Sequence, residues 1–164
     1  MKKLKIWQLV SLLVVVVFGS VLFVGLAAGW FSGDTTAIID TDYICEDECS
    51  DFKDVSVSEF EELIKNKKSF ILFVDQDGCT TADRLRTYAL DWASQEKIQL
   101  LRMAFSDVKE SSLFNFVKYY PSVVIVSEGK VIGWLKADSD DDAGAYNDYN
   151  DFAKWMEAFK IRTR

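Results

Sequence analysis

The sequence contains no histidine. That excludes His-dependent triads and His metal sites. It has one proline, Pro121, and three cysteines. Three cysteines are too few for a disulfide-built scaffold. In an oxidising compartment an odd number leaves at least one thiol unpaired or paired between chains. Charge is absent from Ile6 to Gly33, and no lysine or arginine follows Lys5 until Lys53.

Within the uncharged stretch, Leu9 to Ala28 is almost wholly apolar. A bilayer-spanning helix needs roughly 20 such residues, whereas a secretory signal core has about 7–15. Length therefore predicts a retained span. Cleavage after Ala27, near the small Gly25, is the alternative. A core helix would keep one polar face, and this segment shows none. Lys2, Lys3 and Lys5 precede the span, and the first charges after it are Asp34, Asp40 and Asp42. A basic flank stays in the cytoplasm. The expected location is thus the cell membrane, single-pass, with the C-terminal part outside the cytoplasm. Trp7 and Trp30 fit an aromatic belt at the two interfaces. The absence of a cysteine near Ala28 argues against a lipoprotein anchor.

Three of the 19 basic residues lie in the tail and all 26 acidic residues lie beyond the span, so the exterior part carries −10. That charge argues against nucleic acid and anionic lipid as partners. About 130 residues remain beyond the span, enough for one domain. We expect a basic tail and transmembrane segment over 1–31, an acidic linker over 32–51, and a folded domain over 52–164.

Periodic structure begins after the linker. Phe52 to Val57 reads as a short strand. Ser58 and Glu61 match a capping box, Ser at the cap and Glu three later. Phe60, Leu63 and Ile64 then give a helical face. Ser69 to Val74 is a continuous apolar run, read as a strand buried on both faces. Asp75 to Gly78 reads as a loop. A helix is expected from Thr80 to Glu96, with Leu85, Tyr88, Ala89, Trp92 and Ala93 facing the core. Ile98 to Phe105 is a second apolar strand, and Leu113, Phe116 and Val117 suggest a short helix. Val123 to Val126 and Val131 to Leu135 read as a hairpin turning at Glu128-Gly129-Lys130. Asp138 to Asp151 is an Asp-rich loop. Phe152, Trp155, Met156 and Phe159 mark a last helix. Helices alternating with strands, closed by a hairpin, imply an α/β fold with a mixed sheet flanked by helices.

This order of elements, with Cys79 opening a helix and Tyr120-Pro121-Ser122 just before the hairpin, resembles the thioredoxin superfamily over residues 52–161. Among its members the chain most resembles small extracytoplasmic thioredoxin-like proteins of Gram-positive bacteria, including those called bacteriocin transport accessory proteins. The resemblance implies thiol–disulfide exchange at Cys79 on protein or peptide substrates, without a cofactor. A helix N-terminus carries about half a positive charge, which stabilises a thiolate. The family motif is Cys-x-x-Cys, whereas this chain reads Cys79-Thr80-Thr81-Ala82. The resolving cysteine is missing, and Asp77-Gly78 stands where a Trp is usual. Asp75, Asp77 and Asp83 oppose thiolate formation, while Arg84 and Arg86 partly offset them. A redox-inactive module binding a secreted peptide or an exporter is the alternative. The resemblance also implies a cis peptide at Pro121, exposing the backbone of Tyr120 to a bound peptide. An ordinary trans proline opening a strand is the bland reading.

Cys45 and Cys49 flank Glu46-Asp47-Glu48. Outside the cytoplasm a local disulfide is plausible. Spacing of four on a helical turn brings the Cα atoms within about 6 Å, inside the permitted range. A second reading makes one of them the resolving thiol for Cys79. Metal binding ranks last, because Cys-x₃-Cys without His is a poor zinc pattern. Asp138, Asp140 and Asp142 at alternate positions resemble the start of a calcium loop. Ala143 at the Gly position and Tyr149 at the bidentate Glu position break that pattern, and a solvated acidic loop fits better.

Overall fold

The computed structural model describes residues 36–46 and 49–163. The predicted membrane span lies outside them. Among the described residues no helix is long and apolar enough to cross a membrane.

The elements run β1 (Ile38–Ile39), β2 (Lys53–Asp54), α1 (Val57–Lys65), β3 (Phe70–Asp75), α2 (Thr80–Glu96), β4 (Leu101–Ala104), α3 (Phe105–Val108), β5 (Ser122–Ser127), β6 (Lys130–Trp134), α4 (Tyr149–Glu157) and β7 (Arg162–Thr163). The main sheet has the order β2-β4-β3-β5-β6. β4 runs parallel to β2 and β3, while β5 is antiparallel to both β3 and β6. The expected mixed sheet is therefore present.

β3 sits at its centre, and every residue of it is buried. Successive side chains point to opposite faces, so an all-apolar strand is what a sheet covered on both sides requires. Phe70 meets the edge of Phe60 from α1, with ring centroids 6.1 Å apart. On the opposite face Phe73 stacks on Phe52 at 4.8 Å. α2 turns Ala82, Leu85, Ala89, Trp92 and Ala93 inward. Its limits coincide with those read from the sequence.

Several boundaries differ from expectation. The capping box lies two residues earlier, at Ser56 and Glu59. The Glu59 carboxylate accepts from the Ser56 amide at 2.8 Å, and Ser56 Oγ accepts from the Glu59 amide at 3.3 Å. Both Ser-x-x-Glu frames fit the pattern, but Glu61 is engaged elsewhere, accepting from the Ser112 amide at 2.6 Å. The strand expected over Phe52 to Val57 shrinks to Lys53–Asp54. The strand expected from Ile98 starts at Leu101, because Ile98 forms a bridge to Ile44 instead. The short helix near Leu113 is a single 3₁₀ turn, Ser112–Asn115.

The largest correction concerns the linker. The described residues, from Thr36 onward, belong to one compact unit. Ala37 and Ile39 are fully buried, and Tyr43 nearly so. β1 pairs in parallel with β7, Ile38 opposite Arg162. The Ala37 amide donates to the Phe159 carbonyl at 3.0 Å. A two-residue strand has no readable period, and its partner lies at the other end of the chain.

Candidate active site

Cys79 is the N-cap of α2, reached from the end of β3 through three loop residues. Gly78 takes φ +81°, a left-handed turn that a side chain would strain. Cys79 is a free thiol and half-buried. One helical turn on, Ala82 is fully buried. The place of a second thiol is thus occupied by a methyl group inside the core.

The Tyr120–Pro121 peptide is cis, as the resemblance implies. Ser122 pairs with Val74 in the sheet, which carries Pro121 to the end of β3 where the Cys79 loop departs. Cys79, Thr81, Tyr120, Pro121, Asp138 and Asp140 line one groove of about 570 Å³. Tyr120 stays exposed and leans its ring on Phe105, with centroids 4.8 Å apart.

Tyr146 ties the Asp-rich segment to this groove, a contact that sequence reasoning missed. Its buried hydroxyl lies 2.9 Å from the Pro121 carbonyl and 3.1 Å from the Leu135 carbonyl, donating toward both. Burial pushes the phenol well above its ordinary range, so it remains a donor. The expected loop is in fact a 3₁₀ turn, Ala143–Tyr146, followed by α4. Arg84 on α2 donates to Asn147 Oδ1 at 3.1 Å and fastens the same segment from the other side. Among the described residues no group of three or more His, Cys, Asp or Glu is arranged to hold a metal ion.

The acids that flank Cys79 in sequence are taken up by arginines. Asp75 is fully buried at the end of β3 and pairs with Arg86 of α2 and with Arg102 Nε of β4, the latter at 2.9 Å. Arg102 also reaches Asp77 at 3.0 Å and Asp54 at 3.3 Å. Arg86 reaches Asp83 at 3.1 Å. Asp75 is therefore a strand residue and an ion-pair centre, not part of a solvated loop. Arg102 was not legible as a partner. Its only signal was a charge in the middle of an apolar strand.

Cys45 and Cys49 form a disulfide with Cα atoms 6.0 Å apart. The Cys45 amide donates to the Lys97 carbonyl at 2.9 Å. Lys97 is the C-cap of α2, and Cys79 is its N-cap. Seventeen helical residues at about 1.5 Å each separate those ends by roughly 25 Å. A resolving role for Cys45 or Cys49 toward Cys79 of the same chain is thereby overturned. The pair instead clips the N-terminal segment to the far end of α2.

No protein-family model matches the chain, and no curated protein matches it by sequence. Solved structures do match. The oxidised thioredoxin of Plasmodium falciparum aligns at 15% identity with TM-score 0.51, covering 66% of this chain and 98% of that one. Spinach chloroplast thioredoxin f, short form, aligns at 14% identity with TM-score 0.51, covering 70% and 98%. A chain in a complex of ferredoxin:thioredoxin reductase with thioredoxin f2 gives 14% and TM-score 0.52, covering 69% and 98%. At such identities the shared property is the fold, and this chain has a thioredoxin fold.

Proposed function

We propose that this chain is a membrane-tethered, extracytoplasmic thioredoxin-like protein that exchanges thiols and disulfides through Cys79 alone. One observation carries the reading. A half-buried free thiol sits on the N-cap residue of a 17-residue helix and shares a groove with an exposed Tyr120 and the cis Pro121. Cys79 thiolate attacks one sulfur of a substrate disulfide. A Cys79–substrate disulfide forms, and the other substrate sulfur leaves as thiolate. A different thiolate of the same substrate then attacks the substrate sulfur of the mixed disulfide, forming a new substrate disulfide and releasing Cys79 as thiolate. No net oxidation occurs, so the chemistry is isomerisation. With Ala82 in place of a second thiol, the mixed disulfide persists until the substrate itself resolves it.

The uncharged stretch from Ile6 to Gly33 and its basic flank support the tether and the exterior placement. The likeness to bacteriocin transport accessory proteins belongs to the same reading, with a protein or peptide thiol or disulfide as substrate. A second reading is favoured by the buried Ala82: a peptide-binding module without redox work.

The test uses the full chain in neutral detergent with a scrambled disulfide protein. Wild type should restore native pairing and yield a Cys79 mixed disulfide on acid trapping. Cys79→Ser should do neither. Equal restoration by Cys79→Ser overturns the exchange reading. Protease added to intact cells should digest the domain, and protection there overturns the exterior placement.

A further inference from the structure

The groove beside Cys79 continues beyond the residues that flank the thiol. Among the described residues four large apolar side chains are exposed, and Phe116, Tyr119 and Tyr120 are three of them. All three fall within 116–120, directly before Pro121. Clustered exposed aromatics mark a contact surface more often than scattered ones do. Phe116 meets the edge of Trp134, with centroids 5.5 Å apart. Phe116, Tyr119 and Trp134 line a hollow of about 180 Å³ that ends at Ala137 and Asp138. Those last two residues also line the Cys79 groove. The two hollows therefore adjoin along 137–138 as one trough.

Charge is distributed unevenly along it. Asp75, Asp77 and Asp83, behind the thiol, are paired with arginines. Asp138 and Asp140, facing the groove, have no ion-pair partner among the described residues, and no lysine or arginine lines that groove. Lys118 and Lys136 lie at the aromatic end, over the rings of Phe114 and Trp134 at 4.0 and 5.3 Å. Acid at the thiol and apolar surface beyond it suit a ligand with the opposite order of charge.

Resting on the exchange reading above, we propose that the trough selects an extended polypeptide carrying lysine or arginine beside its cysteine and a bulky apolar side chain further along. The cation faces Asp138 and Asp140, and the apolar side chain seats on Phe116 and Trp134. Complementary charge chooses among partners and speeds their encounter more than it adds raw affinity.

The test separates binding from redox chemistry. Full-length Cys79→Ser protein in neutral detergent is titrated into two labelled synthetic peptides. They differ only in having lysines or glutamates beside a serine that replaces the cysteine. Fluorescence anisotropy should show the lysine peptide binding about five- to tenfold tighter, the size expected of two solvent-facing pairs. Molar salt should erase the gap, since screening then acts within about 3 Å. Asp138→Lys with Asp140→Lys should invert the preference. Asp138→Asn with Asp140→Asn should remove it, and supplies the readout where the reversed variant does not fold. Phe116→Ser should weaken both peptides alike. Equal binding, a glutamate preference, no binding of either peptide, or a lysine preference surviving both pairs of substitutions would overturn the proposal. Exchange of the wild type with a small neutral disulfide is measured separately. Its absence removes the redox reading while leaving the peptide preference to stand or fall on the titration.

Discussion

Removing Arg102 is the sharpest perturbation of the scaffold under Cys79. Asp75 is fully buried at the end of β3, where its carboxylate meets Arg86 and Arg102. Arg102→Met keeps a long apolar stem and deletes the guanidinium. Breaking a buried ion pair by removing one partner costs about 3–5 kcal/mol, because the other charge is left without compensation. Here Arg86 still faces Asp75, and Arg102 is itself 25% exposed, so about half that cost, ~2 kcal/mol, is expected. The pairs to Asp54 and Asp77 add little. Those carboxylates are 78% and 90% exposed, and such pairs contribute about 0–1 kcal/mol. The assay is urea unfolding of the full chain in neutral detergent, followed by near-UV circular dichroism, with a double-mutant cycle against Asp75→Asn. The cycle should show a coupling of at least ~1 kcal/mol, since each substitution removes the reason for the other's cost. A loss below ~0.5 kcal/mol, additive with Asp75→Asn, would refute the claim that Arg102 compensates the buried carboxylate.

Three further outcomes follow from the same structure. Glu59 is held below its usual carboxylate range by the Ser56 hydroxyl and then by the Ser56 amide. Its contribution is therefore full above the unfolded value of about 4.3 and is lost as pH falls through the lowered folded value. Acid titrations of wild type and Glu59→Gln should diverge at neutral pH and converge in acid; Ser56→Ala should cost about 1 kcal/mol at neutral pH. Tyr146→Phe removes the donor to the Pro121 carbonyl and should lower stability by about 1 kcal/mol, with a larger fractional loss in peptide affinity measured by anisotropy. Replacing Cys45 and Cys49 by serine opens a short loop and should cost about 2 kcal/mol in urea unfolding. Exchange at Cys79 should persist in that variant, and its loss would restore the relay that the geometry overturns.

The central strand and α2 were legible because their signals are local. A continuous apolar run before a turn can only be satisfied by covering both faces, and β3 is buried throughout. Leu85, Ala89, Trp92 and Ala93 repeat at helical spacing, and α2 buries them. The capping box was ambiguous because two overlapping Ser-x-x-Glu frames exist. Which one closes depends on Glu61 being drawn away by the Ser112 amide, far off in sequence. The strand at Ile38–Ile39 was invisible for a related reason. Its stability comes from Arg162–Thr163, and two residues cannot show a period.

By itself the sequence determined the α/β alternation, the helix that Cys79 opens, the missing second thiol and the acidic balance. Each of these is written in residue identity or short-range periodicity. The tertiary structure alone decided what surrounds the thiol. It drew Arg102 to Asp75, brought Tyr146 under Pro121, and set the Cys45–Cys49 disulfide at the far end of α2 from Cys79. These contacts join residues far apart in the chain. Ion pairs and hydrogen bonds act over a few ångströms, so their partners are fixed only once the sheet order and register bring them together.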